Sequence, residues 1–177
     1  ATRPRFRKYT LRLRGLAALG YATNNLLNNV AALGSIMLTA FAQELKFLTE
    51  DSVVNGTGTG QPKGIITSAS LVSITKETSQ AATTVVTENL SKMWARFDDD
   101  AKLSPNAVWL INTDVNPQLD LLAITVGTGG LEPRFVGYNA QGVMTIRGKP
   151  VVSVKYCPTL GTVGDVILWN PDRYGFI

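Results

Sequence analysis

The sequence has 177 residues, of which 45% are hydrophobic and 17% are charged, and its formal net charge is +4. This length suits one ordinary domain or two small lobes, and the apolar content excludes a chain that is disordered by composition. With one cysteine, Cys157, and no histidine, an intrachain disulfide, a cysteine–histidine zinc site and a histidine-dependent catalytic triad are excluded. Cys157 has no histidine to activate it, so we expect a buried structural thiol.

The positive charge is concentrated at the start of the chain. The basic residues that precede the first acidic residue, Glu44, are Arg3, Arg5, Arg7, Lys8, Arg12 and Arg14. Such an arm can bind nucleic acid or an acidic partner, but we favour an edge strand that carries arginine on its exposed face. No signal peptide is evident. The longest mostly apolar run, residues 30–42, is shorter than the ~20 residues that cross a bilayer. We therefore expect a soluble protein with no membrane partner.

The first predicted elements are a strand and a long helix. Residues 9–13 alternate between apolar and polar side chains, as in a strand with one buried face. Thr23, Asn24 and Asn25 are alternative helix caps, and apolar residues then recur near spacings of three and four as far as Leu48. The pattern predicts a helix over residues 24–50, roughly 40 Å long at 1.5 Å per residue. Its apolar face is too broad for a surface helix, so we expect it to pack on a sheet and on a neighbouring subunit.

A glycine-rich segment follows this helix. It reads Asn-Gly-Thr-Gly-Thr-Gly-Gln-Pro-Lys-Gly over residues 55–64, a density of glycine and proline that no helix or core strand tolerates. Residues 65–66 are a short apolar step. Residues 68–87 are rich in Ser, Thr and Val and predict strands or an extended linker. We place a boundary between two lobes near residue 68.

The second part of the chain predicts short elements of both kinds. In chain order they are a helix over residues 87–99, a buried strand over 107–111, a cap cluster at 112–114, a helix over 117–124 with Leu119, Leu122 and Ala123 facing inward, a glycine-rich loop over 127–142, a turn at 148–150, a strand over 151–155, a turn at 161–165, a strand over 166–169 and the start of another strand at 173–177. Trp94, Trp109 and Trp169 lie among apolar residues and are interpreted as core or interface anchors.

The glycine-rich segment invites a comparison with phosphate-binding loops, which fails on spacing. A phosphate loop needs Gly, four residues, then Gly-Lys-Ser/Thr at the start of a helix, whereas Pro62-Lys63-Gly64 follows a helix and Pro62 lacks an amide donor. The pair Gly148-Lys149 is followed by proline instead of Ser or Thr. A dinucleotide fingerprint, Gly-x-Gly-x-x-Gly, fails as well, because Gln61 or Lys63 occupies its third glycine position.

The acidic run Asp98, Asp99 and Asp100 is the other candidate for chemistry. Adjacent residues on a helix point in different directions, so these carboxylates cannot converge on one metal ion without a loop. We interpret the run as a solvated helix end. The sequence therefore nominates no catalytic, cofactor-binding or metal-binding residue.

The order of these features resembles the tailed-bacteriophage major capsid protein family. In that family a spine helix is followed by a motif of the type Asn-Gly-Asp-Gly-Thr-Gly-x-Pro-x-Gly-Ile, and residues 55–65 match it except at Thr57, where Asp is common. Residues 107–112 with Leu119 and Leu122 resemble the strand and helix of the family's axial lobe. Residues 147–152 resemble its Gly-x-Pro-Val strand entry, and residues 167–177 resemble the strand that returns to the peripheral lobe.

The resemblance implies an α+β fold of two lobes. Residues 1–67 are expected to supply a peripheral-lobe strand, a long spine helix packed on β-strands and the glycine-rich turn. Residues 68–170 are expected to form an axial lobe, a mixed sheet with flanking helices, and residues 171–177 begin the return strand. Family members normally have an amino-terminal arm, an extended hairpin and further peripheral strands, so the chain resembles a core fragment. No cross-linking residue can be carried over.

The resemblance also implies a structural function without an enzyme activity or a cofactor. The expected subunit is a major capsid (head) protein that self-assembles into hexamers and pentamers of an icosahedral phage or prophage shell around DNA. Its expected partners are other copies of itself, scaffold, protease and portal proteins, and packaged DNA bound non-specifically, with no small-molecule substrate. Assembly is expected in the bacterial host cytoplasm, and the product is the virion capsid. The alternatives are an encapsulin-like protein nanocompartment and, from another class, a phosphate-loop nucleotide-binding enzyme.

Overall fold

The computed structural model describes residues 10, 15, 17–21, 30–122, 124–126, 130–132 and 136–175. The basic residues at the start of the chain and nearly all of the strand predicted over residues 9–13 lie outside the described residues. So do the first residues of the predicted long helix, residues 24–29.

The long helix, α1, spans Val30–Asn55 and has 26 residues, which corresponds to about 39 Å at the usual rise. It continues five residues beyond the end predicted at Glu50. Polar side chains in this last stretch bond to the helix itself, since the Ser52 hydroxyl donates to the Thr49 carbonyl at 2.7 Å and the Asn55 amide donates to the Asp51 carboxylate at 2.7 Å. These polar side chains are therefore accommodated within the helix.

A five-stranded mixed sheet forms the centre of the fold. The described residues contain seven strands in two sheets. In chain order the strands are β1 (Val108–Ile111), β2 (Ile124–Val126), β3 (Gly130–Glu132), β4 (Val136–Tyr138), β5 (Met144–Ile146), β6 (Lys149–Ser153) and β7 (Val166–Trp169). The strand order in the sheet is β4-β5-β6-β1-β7, and β2 and β3 form a separate two-stranded sheet. Strand β1 is parallel to β6 and antiparallel to β7, so Trp109 lies opposite both Val151 and Leu168. The predicted α+β class is confirmed at this level.

Short helices accompany the sheet. They are α2 (Thr87–Arg96), α3 (Asp99–Leu103) and α4 (Asn116–Asp120), with 3₁₀ turns at Thr113–Val115 and Pro171–Arg173. The single helix predicted over residues 87–99 is therefore wrong in its length, because Phe97 adopts an extended conformation after α2. The start of α2 is capped by Asn89, whose side-chain oxygen accepts a hydrogen bond from the Val86 amide at 3.2 Å.

The core occupies both faces of the sheet. Side chains alternate along β1, so Trp109 and Ile111 face one cluster while Leu110 faces the other. The buried members of the first cluster, on the side of α2 and α4, are Leu90, Trp109, Ile111, Val115, Leu119, Leu122, Ile146 and Val151. The buried members of the second cluster are Val54, Leu110, Cys157 and Ile167. The carboxyl-terminal end of α1 thus packs against the sheet through Val54.

The chain between β2 and β6 contains more regular structure than its glycine content predicts. The loop expected over residues 127–142 includes β3 and β4, so that expectation is wrong over those strands. The turn expected at residues 148–150 lies at Arg147 and Gly148 instead, because Ile146 pairs with Lys149 across a two-residue hairpin. Both turn residues have positive φ, 51° and 76°, as a type I′ turn requires. Lys149 and Pro150 consequently belong to β6.

Three other predicted boundaries shift. The helix expected over residues 117–124 ends at Asp120, although Leu119 and Leu122 are buried as predicted; Ala123 lies outside the described residues. Residues 68–86 form turns and extended backbone without a strand, which confirms the linker alternative for that segment. Arg173 ends a 3₁₀ turn where the start of a strand was expected, and residues 176–177 lie outside the described residues.

Candidate assembly surfaces

The glycine-rich segment folds back on the end of α1. The Gly56 amide donates to the Ser52 carbonyl at 3.0 Å, and the Gly64 amide donates to the Gly56 carbonyl at 2.8 Å. Thr57 and Lys63 pair as an isolated antiparallel bridge, so residues 57–63 form a small hairpin loop. We call residues 55–67 the glycine turn.

The glycine turn also closes the end of the long helix. The last carbonyls of an α-helix have no partner within the helix. Here the Ile65 amide donates to the Val53 carbonyl at 2.9 Å and the Ile66 amide donates to the Val54 carbonyl at 3.1 Å. The side chains of Ile65 and Ile66 pack against the second core cluster. The turn therefore joins the helix end, through hydrogen bonds, to the core cluster on the sheet, through apolar packing.

The glycines of this turn have two different roles. Gly58 and Gly60 have positive φ values of 82° and 76°, which L side chains rarely adopt. Gly56 and Gly64 instead lie against other backbone: a Cβ atom on Gly56 would collide with the carbonyl oxygens of Ser52 and Pro62, and one on Gly64 would lie 2.5 Å from the Gly56 nitrogen. Because the amides of Gly56 and Gly64 donate to carbonyls of the chain, neither can cradle a phosphate.

The close packing at Gly64 predicts a graded response to alanine. Gly64→Ala is expected to lower the free energy of unfolding by about 3 kcal/mol, the upper part of the range for overpacking, because backbone atoms cannot rotate away. Gly60→Ala faces open space and is expected to cost about 1 kcal/mol from its positive φ alone. Thr59→Ala, at an exposed position, is the control and is expected to change stability by less than ~0.5 kcal/mol. Urea denaturation checks the order; equal losses for Gly64→Ala and Thr59→Ala would contradict the packing argument.

Helix α1 carries apolar side chains around most of its circumference. Met37 and Phe41 are partly covered, and Gly20 lies close enough that a Cβ atom there would meet both side chains. Ile36 and Leu38 are 66% and 72% exposed. They are two residues apart and therefore about 200° apart around the helix axis at 100° per residue. The predicted broad apolar face is confirmed, whereas its contact with the sheet is limited to the carboxyl-terminal part of the helix in the described residues.

The carboxyl-terminal part of α1 contacts Tyr156 through one ring contact and one hydrogen bond. The rings of Phe47 and Tyr156 lie with centroids 6.2 Å apart, and the Asn55 side-chain amide donates to the Tyr156 carbonyl at 2.7 Å. Burial is the main cause that raises the pKa of Tyr156 above its usual value, with the charge of Glu50 adding to it. Since Phe47 remains 39% exposed, these contacts leave part of the apolar surface of the helix open.

A second apolar surface lies at the β4 edge of the sheet. Leu121, which follows α4, is 83% exposed, and Tyr138 in β4 is 63% exposed. The Tyr138 hydroxyl donates to the Asp120 carboxylate at 2.8 Å, and this hydrogen bond raises the pKa of Tyr138. The bond holds the Tyr138 ring beside Asp120, the residue that precedes Leu121, and the ring stays mostly exposed. Sequence periodicity missed this surface, because Leu121 stands between two leucines, Leu119 and Leu122, that are both buried.

The side chains of the acidic run form ion pairs. Arg173 contacts Asp98 at 3.2 Å and Asp100 at 3.7 Å, and Lys102 contacts Asp99 at 2.6 Å. The hydrogen bond from Lys102 lowers the pKa of Asp99. The three carboxylates are mostly exposed at the start of α3, which agrees with the prediction of a solvated helix end. Within the described parts of the chain, no group of three or more metal-ligating side chains comes together.

Asp172, the residue before Arg173, makes a second contact between the end of the chain and the region of α3. Its carboxylate accepts hydrogen bonds from the Ser104 hydroxyl at 2.7 Å and the Asn106 amide at 2.9 Å. These two bonds lower the pKa of Asp172. The 3₁₀ turn at Pro171–Arg173 is thus attached to α3 and the residues that follow it, a contact that no local pattern in the sequence indicates.

The tryptophans and the cysteine occupy the predicted kinds of place. Trp109 is fully buried, and its indole nitrogen donates to the Ile146 carbonyl at 3.2 Å. Trp94 lies under the Arg147 guanidinium, 5.9 Å from its ring centroid, and Trp169 makes an edge contact with Tyr174. Burial, with a contribution from the charge of Asp165, raises the pKa of the Cys157 thiol to about 11. This confirms a buried thiol that stays protonated near neutral pH.

Comparison with known proteins identifies the family. A family model described as the phage capsid family matches residues 1–176, nearly the whole chain. That family is structural and non-enzymatic. Neither the curated proteins nor the solved structures give a significant match. Among the described helices, none is long and apolar enough to cross a membrane. The match over residues 1–176, together with the glycine turn and the exposed apolar surfaces, means that the chain belongs to the phage capsid family.

Proposed function

We propose that this chain is a major capsid protein subunit that assembles into hexamers and pentamers of an icosahedral phage or prophage shell enclosing DNA. The observation that carries the proposal, beyond the family itself, is the exposed apolar surface of α1. Ile36 and Leu38 point to nearly opposite sides of the helix and are both mostly exposed. Large apolar side chains exposed on two sides of one helix indicate interaction surfaces, and copies of the same chain are the natural occupants in a symmetric assembly.

In this proposal the two lobes have different roles. Residues 1–67 contribute the peripheral lobe with α1 as its spine, residues 68–170 form the axial lobe, and residues 171–177 begin the return to the peripheral lobe. The exposed side chains of Leu121 and Tyr138 at the β4 edge support an axial contact, because several copies of the edge would meet around a ring axis. The glycine turn supports a fixed joint between the lobes, since its amides bond to the end of α1 and its isoleucine side chains pack against the core cluster on the sheet.

The partners follow from the same proposal. Other copies of the chain build the rings, while scaffold, protease and portal proteins and packaged DNA are partners in assembly and maturation. Assembly takes place in the cytoplasm of the bacterial host, and the mature location is the virion capsid. An encapsulin-like compartment would use the same surfaces but would enclose a protein cargo.

Electron microscopy of the full-length gene product, expressed in bacteria, tests the proposal. We expect closed shells of uniform diameter that contain or can package DNA. A stable monomer that forms neither rings nor shells at high protein concentration would refute it. Shells that co-purify with a stoichiometric enzyme in place of nucleic acid would decide for the encapsulin-like alternative.

A further inference from the structure

A small polar notch lies between α2 and the irregular segment that precedes it. The notch has a volume of about 330 Å³ and is lined by residues 73–78 together with Lys92 and Arg96 of α2. It lies apart from the exposed apolar positions on α1 and at the β4 edge, and neither proposed contact uses it. Its lining residues include no aromatic side chain.

The notch carries an excess of positive charge. Three cations line it, Lys76, Lys92 and Arg96, against one carboxylate, Glu77. The Lys92 ammonium contacts both oxygens of Glu77 at 2.6 Å. Across the described residues, the ion pairs involve neither Lys76 nor Arg96. Two of the three cations are therefore available to an anion from outside.

The other acidic residues near α2 lie outside the notch. Asp98 and Asp100 contact Arg173, and Asp99 contacts Lys102. Glu88, in the first turn of α2, accepts a hydrogen bond from the Thr87 hydroxyl and does not line the notch. Among the residues that line the notch, Glu77 is therefore the one carboxylate that faces the three cations.

The spacing of the cations suits a phosphate backbone. Lys92 and Arg96 are four residues apart on α2, which places their Cβ atoms about 5–6 Å apart on one face of the helix. Lys76 approaches from the facing segment, so the three side chains border one concave site. Arginine and lysine in such an arrangement bind phosphate oxygens without reading sequence.

We propose that this notch binds the phosphate backbone of double-stranded DNA. The inference rests on the proposed function, in which the shell encloses DNA, and it assigns part of that contact to Lys76, Lys92 and Arg96. Duplex DNA fits better than a single strand, because binding of single strands relies on aromatic side chains that stack on bases and the notch lining has none. Glu77 limits the affinity, since it occupies Lys92 and repels phosphate.

The test is a salt titration of DNA binding by the unassembled full-length chain, followed by fluorescence anisotropy of a labelled duplex of mixed sequence. Each phosphate contact contributes about −0.9 to the slope of log affinity against log salt concentration. Lys76→Gln/Arg96→Gln is expected to reduce the magnitude of the slope by about two. Lys63→Gln/Lys155→Gln removes the same charge at exposed positions outside the notch and is expected to change the slope by less than half as much.

Glu77→Gln provides a test that misfolding cannot imitate. It frees Lys92 and removes the opposing charge, so we expect tighter DNA binding and a slope that is steeper by about one. Weaker or unchanged binding by Glu77→Gln, or equal slopes for the two double variants, would overturn the proposal.

Polyglutamate is the second probe. If the notch variants weaken the binding of polyglutamate while leaving duplex binding intact, the site serves an acidic protein and the DNA assignment is wrong. Shell formation by the same variants is scored separately by electron microscopy, so a failure of assembly is distinguishable from a failure of DNA binding.

Discussion

Trp109→Ala is expected to lower the free energy of unfolding by about 3–5 kcal/mol, the range for removing a buried aromatic side chain. Trp109 is fully buried in β1, the strand between β6 and β7, and packs in the larger core cluster. The substitution leaves a cavity in the strand that pairs with both β6 and β7. Domains of this size are typically stable by about 5–15 kcal/mol, so much of the protein's stability would be lost. Urea denaturation followed by far-ultraviolet circular dichroism measures the change.

Two further variants separate the causes of this loss. Leu121→Ala removes a large side chain that is 83% exposed and is expected to change stability by less than ~0.5 kcal/mol. Trp109→Phe retains an aromatic ring but removes the hydrogen bond from the indole nitrogen to the Ile146 carbonyl, and we expect a loss between those of the other two variants. A Trp109→Ala protein as stable as the unmodified chain would show that β1 is not the centre of the core.

Ile36→Asp/Leu38→Asp is expected to abolish ring and shell formation while leaving the subunit folded. Both side chains are exposed in the single chain, so the new carboxylates remain solvated before assembly. Burying them against a neighbour would leave unpaired charges that cost about 3–5 kcal/mol, which corresponds to a loss of affinity of 100-fold or more per interface. Analytical ultracentrifugation and electron microscopy measure assembly, and circular dichroism measures the fold.

The matched control is Ile36→Leu/Leu38→Ile, which changes shape at the same positions but keeps them apolar, and we expect it to assemble. Phe41→Asp differs from both. Phe41 is partly buried and faces Gly20, so its replacement is expected to impair folding as well as assembly. Normal shells from the double aspartate variant would show that the α1 surface is not a subunit interface, and a soluble, assembled Phe41→Asp protein would contradict the burial of that side chain.

The structure gives the glycine turn a role that its composition does not specify. Its glycines allow the backbone at residues 56 and 64 to approach within hydrogen-bonding distance, and the amides of Ile65 and Ile66 then bond to the last carbonyls of α1. The same segment places Ile65 and Ile66 against the second core cluster. The segment whose glycine content invites comparison with a phosphate loop is thus a structural joint between the end of a helix and a sheet.

Much of the architecture could be predicted from the sequence because it depends on local patterns. Three-to-four spacing identified α1, and short apolar runs identified β1 and β7, since a strand that is covered on both faces carries successive apolar residues. The order of these elements with the motif at residues 55–65 also indicated the family. Local patterns failed where a neighbour decides the outcome. The strands β3 and β4 lie in a glycine-rich stretch, and strand formation there depends on pairing with β2 and β5.

The features that carry the proposals depend on long-range contacts. Gly56 and Gly64 need to be glycine because carbonyls of Ser52, Val54 and Pro62 lie against them. The exposure of Leu121 beside buried Leu119 and Leu122 follows from where α4 ends. Lys76 reaches the same notch as Lys92 and Arg96 only after residues 68–86 pack beside α2. The sequence alone was sufficient for the long helix, the central strands and the family. The surfaces arise from distant segments that only folding brings together, because the exposure of a side chain and the charges around it are properties of the packed chain.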